Sequence, residues 1–418
     1  MGDLPIKELG NKTPLEAADT PNMDFLAAHG KTGLMYTVKK GIAPESDVAV
    51  ISILGYDPFK YGTGRGILEA VGAGLDVKDG DLALRCNFAT LGEGKEIIDR
   101  RVKRSLTTEE ATELCKAVNE NVKLESYAVY FTFKNTIGHR GVLIIRSRNK
   151  PLSSRITNTD PSYSRIKGLG IAKADVKMFL EKCKPIDSSE GAKISADLIN
   201  EFIEKSHEVL DKHEINRKRE REGKLKANII LTRDAGHQLP KFFNINKHYG
   251  MRFVSLTDMP VERGISKLAG MDTVILPPPS NELKSDCELR VEKLIGCLST
   301  YDCFYIHIKG PDEPGHDGEF KLKTQLISII DKHFFGKLLQ KIKLEEHIIC
   351  VTADHSTPCK LEAHSDDPVP LLISGDKIRG DNVSQFSEKE CKNGSLSILE
   401  RGTKLLPMLI DLMKKAEK

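Results

Sequence analysis

The chain is predicted to be an α/β protein, a largely parallel sheet flanked by helices with a separate α+β unit inserted into it, on three observations. Short apolar runs of strand length recur through the C-terminal half, helical patterns fill the gaps between them, and the middle of the chain switches to alternating apolar and polar residues.

Taken in order, 48–54 has helical character, while 81–90 and 125–133 alternate as half-buried strands do, with 140–148 close behind. The inserted unit is therefore placed at 77–189, and 1–76 with 190–418 form a discontinuous core. The stretch 192–214 has helical spacing without Pro or Gly, and the charged run 216–226 reads as a solvated connector. Strands follow at 228–232, 252–256, 273–276, 303–308, 347–352 and 369–374, with a helix at 323–339. In such a sheet, functional groups gather where strands end.

A chain of 418 residues is too long for one ordinary core, which agrees with two domains. Its 63 Lys and Arg against 60 Asp and Glu leave a net charge of +3, so no whole-chain electrostatic case exists for nucleic acid or an anionic membrane. No apolar run approaches the ~18 residues of a membrane span, and Met1-Gly2-Asp3-Leu4-Pro5 lacks the features of a secretory signal. A cytoplasmic protein is expected. The nine cysteines are odd in number and form no CxxC pair, which favours reduced thiols.

Three loops carry the chemistry. Lys309-Gly310-Pro311-Asp312-Glu313-Pro314-Gly315-His316-Asp317-Gly318 follows an apolar run, and Pro314 and Gly315 are expected to forbid a helix there, so a tight loop should bring Asp312 to His316. The strand 347–352 runs into Asp354-His355, and His364 precedes another apolar run. Carboxylates and imidazoles from three loops suit a dinuclear site, for Mn²⁺ or Zn²⁺ rather than an all-oxygen cage. Two close metals assist phosphoryl transfer and can activate a hydroxyl. Ser46 is the hydroxyl in the right setting: as a helix N-cap it would also place a phosphoserine against helix-start N–H groups.

The segments 12–24, Ser46-Asp47-Val48-Ala49, Leu54-Gly55-Tyr56-Asp57-Pro58, 61–66, Arg85-Cys86-Asn87-Phe88-Ala89-Thr90, 312–318 and Thr352-Ala353-Asp354-His355 occur in that order. Together they resemble the archaeal-type cofactor-independent phosphoglycerate mutases of the alkaline phosphatase superfamily, over nearly the whole chain. The resemblance implies an alkaline-phosphatase-like core with an inserted substrate domain, and a small-molecule phosphoglycerate as substrate. It implies Ser46 as phosphorylated nucleophile, Asp312, His316 and His364 as ligands of one metal, and Asp354 and His355, with Ser46, as ligands of the other. Two divalent ions are expected, Mn²⁺ first, with Zn²⁺, Co²⁺ or Mg²⁺ as alternatives, and no 2,3-bisphosphoglycerate.

Binding a phosphate and a carboxylate requires cations, and Arg meets either bidentately. Arg85 with Asn87, and Arg140 beside His139, are the inserted unit's candidates, while Arg100 and Arg101 read equally well as solvated charges. Arg263 and Lys267, four apart in the core, are the remaining phosphate candidates. The Gly-rich 61–66 segment has no nucleotide-loop pattern and reads as a turn. Another phosphatase, a phosphopentomutase or a non-catalytic metal-binding relative would share the metal cluster.

Relatives of the resembled family carry an apolar strand ending in Asp-Gly before the segment matching Met1-Gly2-Asp3. By that resemblance the core sheet is expected to show an open slot, and the second metal to keep only Ser46, Asp354 and His355. A form extended upstream is expected to be more stable and more active.

Overall fold

Val369–Gly375 is apolar along its length and buried from Val369 to Ser374, so it forms the centre of a sheet. It pairs antiparallel with Gly30–Met35 on one side and with Ile348–Val351 on the other, and Ser397–Leu399 adds a parallel edge to Gly30–Met35. A second sheet is wholly parallel, with Phe253–Thr257 between Asp272–Ile275 and Cys303–Ile306. The computed structural model describes residues 1–166, 169–172, 177–280, 282–375 and 377–416. Among them, Cys303–Ile306 pairs only with Phe253–Thr257, and Ile348–Val351 only with Val369–Gly375. Both of those edge strands are only half-buried over most of their length.

The single, largely parallel sheet expected from the sequence is thus replaced by several sheets with mixed pairing. The apolar runs identify strands, but run polarity along the chain does not say which neighbours pair antiparallel. Two compact units result, one of Met1–Tyr61, Phe242–Asp258 and Ala269–Lys418, the other of Gly62–Lys241 and Met259–Leu268.

In the first unit, Leu26, Leu256, Leu294, Ile327, Phe335 and Leu372 share one core. The helix Phe320–Ile330 continues through a π turn, Asp331–Phe335, into Gly336–Leu339. Lys323 on that helix is buried, and its ammonium donates to Asp3 Oδ2 at 2.7 Å, Thr357 O at 2.8 Å and Gly2 O at 3.0 Å. Asp3 also accepts from Cys359 N, at 3.2 Å. Its carboxylate is committed to this network.

The second unit extends on both sides of the expected 77–189 segment. Leu82–Leu91 is its central strand, flanked by Arg140–Ser147 and Ile229–Gly236, both antiparallel, with Val129–Asn135 and Ile97–Asp99 outside. The 228–232 run, expected in the core sheet, therefore belongs here, because its residues pair with Leu82–Leu91. The helix Glu190–Asp211 packs Phe202 against Phe131 and Phe133. The 216–226 run is not merely solvated: Glu214–Arg221 is helical, and fully buried Arg219 donates to Glu110 Oε2 at 2.7 Å.

The helix Pro260–Ala269 packs in this unit through glycines. A Cβ on Gly264 would lie 1.8 Å from Leu68 O, and one on Gly72 would lie 1.7 Å from Pro260 O. Only backbone-to-backbone crossing with Arg65–Gly72 allows that approach. Arg263 and Lys267 accordingly reside in the second unit and not in the first, where the sequence placed them. Among the described residues, no helix is long and apolar enough to cross a membrane.

Candidate metal centre and basic cluster

Asp312–His316 forms a single α-helical turn and not the tight non-helical loop expected. Pro314 is the third helical residue, where its missing N–H belongs to the set that no helix satisfies internally. Gly315 is needed for a different reason, since a Cβ there would meet Thr357 O at 2.5 Å. The turn brings Asp312 and His316 to one face, i to i+4, with His316 Nε2 3.5 Å from Asp312 Oδ1.

His364 joins them from another loop, its Nε2 3.1 Å from Nε2 of His316 and 3.5 Å from Asp312 Oδ1. The donor atoms of the three residues lie within 4.8 Å of one another. His316 Nδ1 lies 3.1 Å from Glu362 O and His364 Nδ1 lies 2.9 Å from Pro44 O. A carbonyl only accepts, so each Nδ1 donates its proton to its carbonyl, and the two Nε2 atoms face the same point as the Asp312 carboxylate. Those three donors could hold a metal ion.

His355 stacks on His364 with centroids 3.6 Å apart, and its Nε2 lies 3.4 Å from Asp354 Oδ2 and 3.2 Å from Ser46 Oγ. Ser46 is buried and opens the helix Ser46–Ile53, whose N-cap is Glu45. The expected capping role of Ser46 is therefore not found. The hydroxyl sits one residue inside the helix and turns toward His355 instead. All six expected residues meet in the first unit.

The electrostatics favour ionised carboxylates here. Burial opposes ionisation of Asp312, yet Lys309 and His364 hold its carboxyl well below the usual range. Burial opposes ionisation of Asp354 too, and His355, His307 and Lys309 hold it down. Burial pushes the His355 imidazole down to about 4, against the pull of Asp354. His364 is raised despite burial, by Asp312 and Glu45. Lys309 donates to Asp312 Oδ2.

In the second unit Arg85 Nε pairs electrostatically with Glu69 Oε1 at 3.1 Å, and that oxygen accepts a hydrogen bond from Arg65 Nε at 2.8 Å. Burial and the neighbouring Arg233 and Arg65 lower the Arg85 guanidinium to about 10. Asn87 is buried and registers opposite Arg140. His139 is pushed down to about 3 by burial and by Arg140, Arg101, Arg233 and Arg85. Arg100 is structural, giving two bonds of 2.7 Å to buried Asp160. Lys267 is exposed and Arg263 half-buried.

The sequence reading missed Lys309 and Thr357, although both stand inside the loops it singled out, and it missed Arg233, which follows the 228–232 run directly. Arg65 and Glu69 lie in and just beyond the Gly-rich 61–66 segment. Gly64 and Gly66 there press on the backbone of Ala235 and Ala83, where a Cβ would come within 2.0 and 2.4 Å.

A mixed α/β chain that gathers two aspartates, three histidines and a serine in one unit has the make-up of an enzyme. The 2,3-bisphosphoglycerate-independent phosphoglycerate mutase family matches residues 27–216. A mutase of that description from Aeropyrum pernix is 44% identical over 96% of this chain and 95% of its own length, and one from Thermococcus kodakarensis is 41% identical over 100% and 96%. Among solved structures, a Pyrococcus horikoshii protein superposes with a TM-score of 0.79 at 32% identity, covering 100% of this chain and 96% of its own. The cofactor-independent phosphoglycerate mutase of Thermoplasma acidophilum gives 0.59 at 30% identity, covering 98% and 96%. The chain belongs to the 2,3-bisphosphoglycerate-independent phosphoglycerate mutases, and is an isomerase.

Proposed function

We propose that the chain interconverts 3-phosphoglycerate and 2-phosphoglycerate through a phosphoserine at Ser46, on an alkaline-phosphatase-like core carrying an inserted substrate-binding unit. The observation that carries this is the meeting of Ser46 Oγ with His355 Nε2 at 3.2 Å, beside the Asp312, His316 and His364 cluster. Asp312, His316 and His364 would hold one divalent cation, and Ser46, Asp354 and His355 a second, Mn²⁺ first among Mn²⁺, Zn²⁺, Co²⁺ and Mg²⁺. Such ions lower the pKa of a hydroxyl and neutralise charge on attacking and leaving oxygens.

Ser46 Oγ bonds to phosphorus as the substrate's O–P bond breaks, and the serine proton passes to the departing glycerate oxygen. The reverse step returns the phosphoryl group to the other hydroxyl. The start of the helix Ser46–Ile53 supports the phosphoserine, because its first N–H groups and dipole favour negative charge. Arg85, Asn87 and Arg140, with Arg65 and Arg233 beside them, are proposed to take the anionic groups of the substrate, while the roles of Arg263 and Lys267 toward phosphate are proposed from sequence alone.

The test is a mutase assay on metal-stripped protein with 3-phosphoglycerate, adding each of the four ions in turn, with ribose phosphates as competing substrates. Restored 2-phosphoglycerate formation supports the reading. Turnover that no ion changes, or a preference for ribose phosphate, overturns it.

A further inference from the structure

Thr357 is buried, and its single hydroxyl lies 3.0 Å from Asp312 Oδ1 and 3.0 Å from His355 Nδ1. These two residues belong to different halves of the candidate metal centre. We infer that Thr357 is a positioning residue that fixes the tautomer of His355 and ties its ring to Asp312, an inference that rests on the proposed metal reading.

An ionised carboxylate can only accept, so the Thr357 O–H proton goes to Asp312. The hydroxyl then has only lone pairs for His355, and Nδ1 of His355 must be the donor. Nε2 is left with its lone pair, and Nε2 is the atom that faces Ser46 Oγ at 3.2 Å and Asp354 Oδ2 at 3.4 Å. The partner of one ring nitrogen decides what the other can ligate.

Thr357 is itself held from below. Its carbonyl accepts from the buried Lys323 ammonium at 2.8 Å, its amide donates to Gly2 O at 3.1 Å, and Gly315 packs against its main chain. The hydroxyl has a fixed origin, so the distance between Asp312 and His355 is set by the fold before any ion arrives.

The test compares Thr357→Val, which keeps the shape and removes the hydroxyl, with Thr357→Ser, which keeps the hydroxyl, in the full chain. In the metal-free proteins, long-range ¹H–¹⁵N correlation spectra of the histidines should show His355 protonated at Nδ1 in the parent and in Thr357→Ser, and a mixture of tautomers in Thr357→Val. Calorimetric titration with Mn²⁺ should show affinity about 10- to 100-fold weaker for Thr357→Val, restored by Thr357→Ser. An unchanged tautomer in Thr357→Val, or parental Mn²⁺ affinity at both sites, overturns the inference. A parent that binds no Mn²⁺ at all overturns the metal reading, and the tautomer comparison still decides the role of Thr357.

Discussion

Nε2 of His355 lies 3.2 Å from Oγ of Ser46, across 309 residues of sequence. One group starts the helix Ser46–Ile53 and the other follows the strand Ile348–Val351, so their meeting depends on how the first unit's sheet is assembled. Because the Ser46 hydroxyl takes no part in capping, its loss should be felt in chemistry and hardly in folding.

Ser46→Ala is therefore expected to reduce mutase turnover by on the order of 10³-fold or more, while stability changes by less than about 1 kcal/mol. Paired measurements of turnover and denaturant midpoint check this. Near-parental turnover would remove the phosphoserine from the mechanism.

Mn²⁺ should raise the melting temperature of the metal-stripped chain, since an ion at ~100 times its dissociation constant adds about 2.7 kcal/mol. In Asp312→Ala that gain should shrink, because His316 and His364 would lose the carboxylate that shares their point of focus. Melting curves of both proteins with and without Mn²⁺ decide it, and equal gains would count against Asp312 as a ligand.

Gly315→Ala is expected to displace Thr357, because the new Cβ would sit 2.5 Å from its carbonyl oxygen. Overpacking of this kind costs about 1–3 kcal/mol, and Mn²⁺ affinity should fall about tenfold or more as the site loses its geometry. Calorimetry on the variant provides the check, with unchanged affinity as the contrary result.

In the second unit, Arg85 and Arg100 should separate. Arg85→Ala is expected to raise KM for phosphoglycerate about 10- to 100-fold, the loss of about 1.5–3 kcal/mol from a charge-assisted bond. Arg100→Ala should instead destabilise the chain by about 3 kcal/mol, since it strips buried Asp160 of its bidentate partner. Steady-state kinetics and chemical denaturation on both variants distinguish the roles, and parental KM in Arg85→Ala would make that arginine structural.

His139 should leave a mark on the pH dependence of stability. Burial and the surrounding arginines depress its folded pKa to about 3 from an ordinary 6.5, so the unfolded chain binds the extra proton. Stability from this group is complete above pH 6.5 and is lost as pH falls toward 3, with a slope approaching about 1.4 kcal/mol per pH unit. His139→Asn should flatten the profile in that window, and superimposable profiles would show that His139 is not depressed.

Much of this protein is written locally. Apolar runs of strand length located the strands at 253–257, 303–306, 348–351 and 369–375, and helical spacing located the long helix near 190–211, because burial selects apolar residues wherever an element covers a core. The residues that gather around Ser46 were legible for the same kind of reason, since carboxylates and imidazoles at the ends of apolar runs stand out against their surroundings. What the sequence could not decide was any quantity set by partners distant in the chain. Strand direction is one, as Val369–Gly375 runs antiparallel to both its neighbours for reasons that lie in those neighbours. The membership of 229–236 and of Arg263 in the second unit is another, fixed by pairing with Leu82–Leu91 and by a glycine crossing 192 residues apart at Gly72 and Gly264. Thr357 is the last: an ordinary threonine in sequence, it becomes the hydroxyl between Asp312 and His355 only when the turn Asp312–His316 folds against it and buried Lys323 holds its carbonyl.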